Sequence, residues 1–551
     1  MTDAPARTDA LPRSAPRDQG VDARGVAALL DALEAAPGIE PHSLMVLRHG
    51  HVVAEGWWHP YAADGVQLLY SLSKSFTSTA LGFAVAEGLV SLDDTVLSHF
   101  PDLDADVVDP RSRAMLVRHV AAMASGHLTE THERALETDP ADLVRGFLLT
   151  PPDREPGTVF AYNQPCTYTV AAIVAARSGE SLTQYLRPRL LDPLGIGPVA
   201  WQRDSSGREI GYSGLHATTD AIARLGQLYL QGGVWDGIRL LSQEWVDDAT
   251  RSHVDNAVAN TAADWRQGYG FQFWRSQHGY RGDGAYGQFC LVLPEQDAVV
   301  AITAATTDMG SVLEAVYAHL LPALGGRASD GGRASSGGQG SDGGQESGDG
   351  RPGTDRTDPE AADRDLAERL ARLALPPLPG DGEPPSAAER WDGLTAGSPD
   401  GPVAEVTLAR GDDGWELTVR GRRDGTDAGA DAAADPDAAT DPHAVTVPLP
   451  RPGSGTGSGA GTGAGAAAGG WLVADAHRAD GTAVPVAVTG GWTGRGTLLV
   501  DVVFRETPHR LRLEIAAPDE AAGSAGGAVG ARWLTEPLGA PALGALRAPW
   551  R

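Results

Sequence analysis

The chain has 551 residues, 42% of them hydrophobic, a formal net charge of −28 and two cysteines. That length and apolar content suit two or three domains with real cores, and a surface so acidic repels phosphate backbones and anionic lipid, so neither a nucleic-acid nor a membrane partner is expected. Residues 1–20 lack an apolar core of signal-peptide length and no apolar run is long enough for a bilayer. The expected location is therefore cytoplasmic, with Cys166 and Cys290 reduced and buried.

Residues 1–20 are polar, with alanine, proline and arginine, and read as disordered. Val21–Ala36 has helical spacing at Val26, Leu29, Leu30 and Leu33 and stops at Pro37-Gly38. His42–Glu55 alternates around Leu44, Val46 and Leu47, breaks at Gly50 and resumes at Val52-Val53, the pattern of a β-hairpin. The stretch that follows, Leu69–Thr77, matters most. It holds Lys74, the only lysine in the chain; every other basic residue is arginine. Arginine keeps its proton in a protein, whereas a desolvated lysine can lose it, so one retained lysine points to a task for a neutral amine. Lys74 follows Ser71 by three, which on a helix puts amine and hydroxyl on one face. A serine hydroxyl needs a base to become a nucleophile, and a serine–lysine pair is one solution. The bland alternative is a stray lysine in a locally serine-rich run, with Ser73 and Ser75 beside it. Leu72, Phe76, Ala80 and Phe83 mark the core face of a helix that opens at Ser71 and ends near Gly88. Ser71 then sits at the positive end of the helix dipole, among free backbone N–H groups suited to a developing oxyanion.

From Asp93 to about residue 250 the chain reads as helix and loop. Val117–Gly126 is a helix closed by a glycine turn. Pro156–Gln164 precedes the apolar helix Val170–Ala176. Tyr162 is either a core aromatic or a general base, since a nearby cation favours phenolate; Asn163 and Gln164 also suit helix capping. The 15 histidines show no metal-ligand spacing, and neither a metal nor an organic cofactor is expected. Gly268–Trp274 reads as a strand. Gly282–Gln288 is glycine-dense, either a plain hairpin turn or a place where backbone approaches a ligand closely. Strands Phe289–Leu293 and Ala298–Thr303 and a packing helix, Ser311–Leu321, follow.

Residues 325–358 are glycine, serine, aspartate and arginine in low-complexity order, a flexible linker. Pro359–Leu375 carries one more helical pattern. Seven short strands then run from Val403 to Ile515, interrupted by low-complexity inserts at 423–442 and 452–470 that are expected to be disordered loops. Together they imply a small antiparallel barrel or sandwich. Its tryptophans, Trp391, Trp415, Trp471 and Trp492, suit either a core or a binding face.

Ser71-Leu72-Ser73-Lys74 resembles the Ser-x-x-Lys motif of the serine β-lactamase and penicillin-binding-protein superfamily. The likeness is greatest to its class C-like branch of esterases, D-amino-acid peptidases and 6-aminohexanoate-dimer hydrolases. Ala86–Asp94, Val117–Gly126, Pro156–Gln164 with its Tyr-x-Asn-like Tyr162-Asn163-Gln164, Leu190–Gly195 and Thr218-Thr219-Asp220 extend the resemblance over residues 21–322. It implies an α+β fold: an antiparallel sheet flanked by helices, with a helical subdomain and the site between them. It implies Ser71 as nucleophile, Lys74 as its activator and Tyr162 as the partner that protonates the leaving group. The third family motif, Lys-Thr-Gly or His-x-Gly, is met only by Gly282-Asp283-Gly284-Ala285, without the leading cation, and His278 nearby does not supply it. The implied oxyanion donors are the N–H groups of Ser71 and Ala285, with Gln164, Asp283 and Gly284 as further substrate-binding candidates.

The expected organisation is a disordered 1–20, a hydrolase domain at 21–324, a linker at 325–358, and a helix plus separate small antiparallel β domain at 359–551. The expected activity is hydrolysis of a small ester or amide through an acyl-enzyme. The missing third-motif cation argues against β-lactam turnover, and the missing export signal against a cell-wall peptidase. Two rivals remain at this level: an idle ligand-binding protein on the same scaffold, and a chain whose β domain is the functional module.

Overall fold

The computed structural model describes residues 10–325 except 261, residues 358–379, and residues 390–550 except 412–413, 423–440, 450–469, 494–495 and 518–526. The expected linker and both low-complexity inserts lie almost wholly outside the described residues. The stretch 10–20, expected to be disordered, is instead built into the fold. Leu11 and Pro16 are buried, Val52 N donates to Pro12 O (2.8 Å) and Ser14 N to Val52 O (3.0 Å). Two apolar side chains and an open sheet edge outweigh the polar composition.

The first half is organised on a six-stranded antiparallel sheet. In chain order come helix α1 (Ala23–Ala35), strands β1 (Glu40–Arg48) and β2 (His51–Trp57), helices α2 (Ser73–Ala86), α3 (Gln164–Ser178) and α4 (Thr219–Leu230), then β3 (Trp274–Arg275), β4 (Tyr280–Gly284), β5 (Gln288–Leu293), β6 (Ala298–Ala305) and α5 (Met309–Ala315). The spatial order is β2-β1-β6-β5-β4-β3. Side chains alternate across the sheet as a period of two requires. Leu44, Val46, Leu291, Val300 and Ile302 pack under α1 and α5, while Met45, Leu47, Cys290, Val292 and Val299 pack under α2 and α4. The predicted strand over 268–274 shrinks to β3, with Tyr269 contributing only isolated bridges to Val254 and Trp274; its aromatics pack as a loop instead.

Helix α6 (Pro359–Leu370) returns to α1, where Arg369 meets Glu34 (3.0 Å) and Asp31. Among the described residues, the second half is a closed barrel of nine strands: β7 (Leu394–Gly397), β8 (Val403–Gly411), β9 (Gly414–Gly421), β10 (Ala444–Pro448), β11 (Leu472–His477), β12 (Ala483–Trp492), β13 (Thr497–Phe504), β14 (His509–Ala516) and β15 (Gly527–Thr535). The first and last were not foreseen; they pair in parallel and close the barrel, which removes both open edges. Valine and leucine fill its interior, and Trp391, Trp471 and Trp492 are buried there or against the first half, so these three are core, while Trp415 is partly buried against the same cluster.

The barrel docks on the first half rather than hanging from it. Trp471, Ala487 and Val503 join the apolar cluster of the sheet, and Trp471 Nε1 donates to Leu375 O (2.9 Å). Buried Arg510 bridges Glu40 (2.5 Å) and fully buried Asp501. Beside the start of α2, Gln67 Nε2 donates to Arg505 O (2.6 Å) and Leu68 N to Glu506 O (2.8 Å).

Candidate active site

Helix α2 begins SKSFTST, and every residue from Ser73 to Ala84 is buried. So polar a sequence is stable there because its hydroxyls find acceptors. Ser75 donates to Gln272 O, Thr77 to Gly211 O and Ser78 to Phe271 O, while Ser73 Oγ accepts from Leu215 N. These bonds pin the helix on all sides. Ser71 lies in a 3-10 turn, Tyr70–Leu72, that leads into it, half-buried at the floor of a cleft of about 890 Å³.

Lys74 Nζ lies 3.0 Å from Ser71 Oγ, 2.6 Å from Gln164 Oε1 and 2.8 Å from Tyr212 O. The residue is 1% exposed. Burial drives its ammonium down from the ordinary 10.5 to about 7, against the opposing pull of Glu130 and Asp283. A neutral amine has two N–H donors and one lone pair. The Gln164 and Tyr212 oxygens only accept, so they take both donors and leave the lone pair for the Ser71 hydroxyl.

Tyr162 precedes α3 and stacks on Trp274 (centroids 5.4 Å apart, 20° between planes). Ser71 is the neighbour that favours its ionised form, against burial, and Lys74 Nζ sits 4.7 Å from its ring centroid. Burial first, then Asp283, pushes the phenol far above its ordinary range. This corrects the phenolate alternative: Tyr162 stays protonated and is suited to donate. The capping alternative for Asn163 and Gln164 also fails. Asn163 Oδ1 instead accepts from Thr131 N (2.9 Å) and Thr131 Oγ1 (3.0 Å), which orders the loop above the cleft.

Strand β4 runs along the start of α2. A Cβ on Gly284 would fall 2.0 Å from Leu69 O, and one on Gly282 would fall 2.5 Å from Ser75 Oγ. Only glycine permits this approach, and it brings Ala285 in directly after the contact. The alternate side chains point the other way. Asp283 pairs with buried Arg281 (3.0 Å), so the structure keeps its carboxylate out of the cleft where a substrate-binding role had placed it. Burial nonetheless pushes the Asp283 carboxyl up, against Arg281. His278 packs on Tyr317, away from the site.

Three participants escaped the sequence reading. Tyr212 acts through its backbone oxygen; its only sequence signal is the flanking Gly211 and Gly214, both at positive φ. Glu130 sits on the cleft wall and accepts from Gln164 N (3.2 Å). His509 comes from the barrel. Its Nδ1 lies 3.1 Å from Thr535 O, and its Nε2 lies 2.6 Å from Tyr70 Oη. Burial holds its pKa at about 4, so the ring is neutral: Nδ1–H donates to the carbonyl and Nε2 accepts from Tyr70. Tyr70, next to Ser71, has φ +48°, a left-handed backbone that a bulky residue keeps only when its surroundings hold it.

The family model for β-lactamase matches residues 26–324. The chain belongs to the β-lactamase family. It is thus a hydrolase of the serine β-lactamase type, and the α+β architecture expected from the Ser-x-x-Lys resemblance is the one observed. The 6-aminohexanoate-dimer hydrolase of Paenarthrobacter ureafaciens is 27% identical over 281 residues, covering 47% of this chain and 71% of the relative. Among solved structures, the putative 6-aminohexanoate-dimer hydrolase from Bacillus anthracis aligns with a TM-score of 0.44 at 20% identity over 58% of this chain and 87% of its own. SurE, solved with D-Leu, aligns with a TM-score of 0.43 at 15% identity over 88% of this chain and 97% of its own. Among the described residues of this β-lactamase-family chain, no helix is long and apolar enough to cross a membrane.

Proposed function

We propose that this β-lactamase-family protein hydrolyses a small ester or amide through an acyl-enzyme on Ser71, with Lys74 as general base and Tyr162 as general acid. The observation that carries the reading is the buried Lys74 amine, poised near neutrality with both of its donors occupied and its lone pair on Ser71 Oγ. A base with a pKa near the working pH combines the right protonation state with adequate driving force.

Ser71 Oγ bonds to the substrate carbonyl carbon as its proton passes to Lys74. The carbonyl oxygen becomes an oxyanion facing the N–H groups of Ser71 and Ala285. When the tetrahedral adduct collapses, the bond to the leaving group breaks, Tyr162 gives that group a proton, and the Lys74 ammonium restores the phenol. Water then attacks the acyl carbon, the restored Lys74 amine takes its proton, and Ser71 leaves with a proton as the acid departs. Each oxyanion donor contributes about 3–4 kcal/mol to lowering such a barrier. The relative named a 6-aminohexanoate-dimer hydrolase supports the hydrolytic class.

The test is covalent labelling of the full chain with a fluorophosphonate and location of the adduct by mass spectrometry. An adduct on Ser71 in the wild type, lost in Ser71→Ala and in Lys74→Arg, is the expected result. A wild type that takes no adduct, or takes it elsewhere, overturns the reading and favours an idle binding protein.

A further inference from the structure

The Ser71 cleft has two walls, and only one belongs to the family domain. The family match ends at residue 324. The facing wall is barrel: Thr507, His509, Leu538, Pro541, Ala545 and Leu546 line the same cleft as Ser71 and Gln164. We infer that this barrel wall is a substrate-selecting surface, and that the substrate carries an apolar arm that lies against the segment 538–546. The inference rests on the Ser71 reading above and adds what the substrate must bring to the site.

Three observations support it. Leu538 is 61% exposed although it sits in a cleft beside the nucleophile, and half-buried Pro541 and exposed Ala545 continue its apolar surface over the buried Leu546. An uncovered apolar patch inside a ligand-sized cleft is a place for ligand, whereas single exposed leucines elsewhere need no such account. The wall is also preorganised. Tyr286 Oη donates to Glu536 O, Gly544 N donates to Pro442 O (3.1 Å), and Ala548 N donates to Glu506 Oε2 (2.6 Å). A surface already fixed loses little entropy when it binds. Finally, the charged side chains of the cleft, Glu130, Glu133 and Arg134, all lie on the opposite wall, and the barrel side carries none. Chemistry and selection then fall to different domains: the first half breaks the bond, and the barrel reads the arm.

The experiment measures kcat/KM of the full chain on p-nitrophenyl acetate, butyrate, hexanoate and octanoate, in the wild type, Leu538→Gln and Ala545→Asp. The wild type should prefer the longer acyl chains. The octanoate-to-acetate ratio should fall about tenfold in each variant, as expected when roughly two methylenes lose their apolar cover. Both side chains are exposed, and unchanged thermal unfolding will show that the fold is kept. A wild type with no rise along the series, or ratios that stay within about twofold in both variants, overturns the inference. Fluorophosphonate labelling of the same samples separates the two readings. If Ser71 is labelled and the ratios do not move, the apolar arm falls and the hydrolase stands. If wild-type Ser71 is not labelled, the hydrolase falls and takes the arm with it.

Discussion

Among the cations buried in the first half of the molecule, Arg281 and Lys74 lie deepest, and their surroundings give them opposite characters. Arg281 on β4 is fully buried, between Asp283 (3.0 Å) and Asp264, with Ser276 and the Trp265 ring against its guanidinium. Lys74 is just as deeply buried, but the three atoms it touches belong to a hydroxyl, an amide and a backbone carbonyl. Carboxylates in contact return the Coulomb energy that desolvation removes. Neutral acceptors return less, so the amine sheds its proton near neutrality instead. Arginine cannot make that exchange. This gives a physical reason for a chain that uses arginine everywhere else to hold its one lysine here.

The largest effect should come from making the two sites alike. Lys74→Arg puts a permanent cation against Ser71, with no lone pair to receive the hydroxyl proton. We expect kcat/KM on a p-nitrophenyl ester to fall by about 10³-fold or more. In the wild type, kcat/KM should rise with pH through about 7 as the Lys74 amine is freed, then stay level to high pH because Tyr162 keeps its proton. A residual rate in Lys74→Arg that still rises through 7 would mean that some other group is the base.

The converse change removes the paired cation. Arg281→Met leaves Asp264 and Asp283 buried without a counter-charge, which should cost about 3–5 kcal/mol of stability in denaturant unfolding. A loss below 1 kcal/mol would show that water already screens the pair. Between these extremes lies Lys74→Met, which should stabilise the protein while silencing it. The folded amine titrates near 7 and the unfolded one near 10.5. Between those values the unfolded chain holds a proton that the folded chain lacks, so wild-type stability rises with pH across that window and its handicap is complete below 7. Removing the amine lifts the handicap and leaves two acceptors less well satisfied, for a net gain of roughly 1–3 kcal/mol at pH 6. Chemical unfolding of both proteins at pH 6 and pH 9 checks the sign, since the gain must shrink at the higher pH.

The same contrast explains what could be read from the sequence. The juxtaposition of Ser71 and Lys74 was legible because they are three residues apart, across the 3-10 turn that leads into α2, and Tyr162-Asn163-Gln164 because a local motif carries them. The β1–β2 hairpin and most barrel strands were legible from alternation. Tyr212 was not, because it works through a carbonyl that every residue owns. The environment of Arg281 was not, because its carboxylates lie 2 and 17 positions away with nothing to mark them among 43 arginines. His509 is 439 residues from Tyr70, and a contact of that span leaves no periodic trace in one sequence. Asp283 misled because its motif neighbours, Gly282 and Gly284, do lie against the residues that flank Ser71, and strand alternation then turns the side chain between them away.

The smallest predicted effect tests the contrast most finely. Glu130 is the leading group that pulls the Lys74 titration upward, yet it is an exposed residue on the cleft wall. If burial sets the amine's pKa and exposed charge only trims it, Glu130→Gln should move the pH–rate limb down, since an anion favours the ammonium, and by only about half a unit. The shift should narrow further in 0.5 M salt, because a solvent-facing carboxylate is screened while the desolvation of Lys74 is not. A limb displaced by two units would instead mean that Glu130 closes onto the amine in the free enzyme, and that Lys74 resembles Arg281 more than an exposed carboxylate implies.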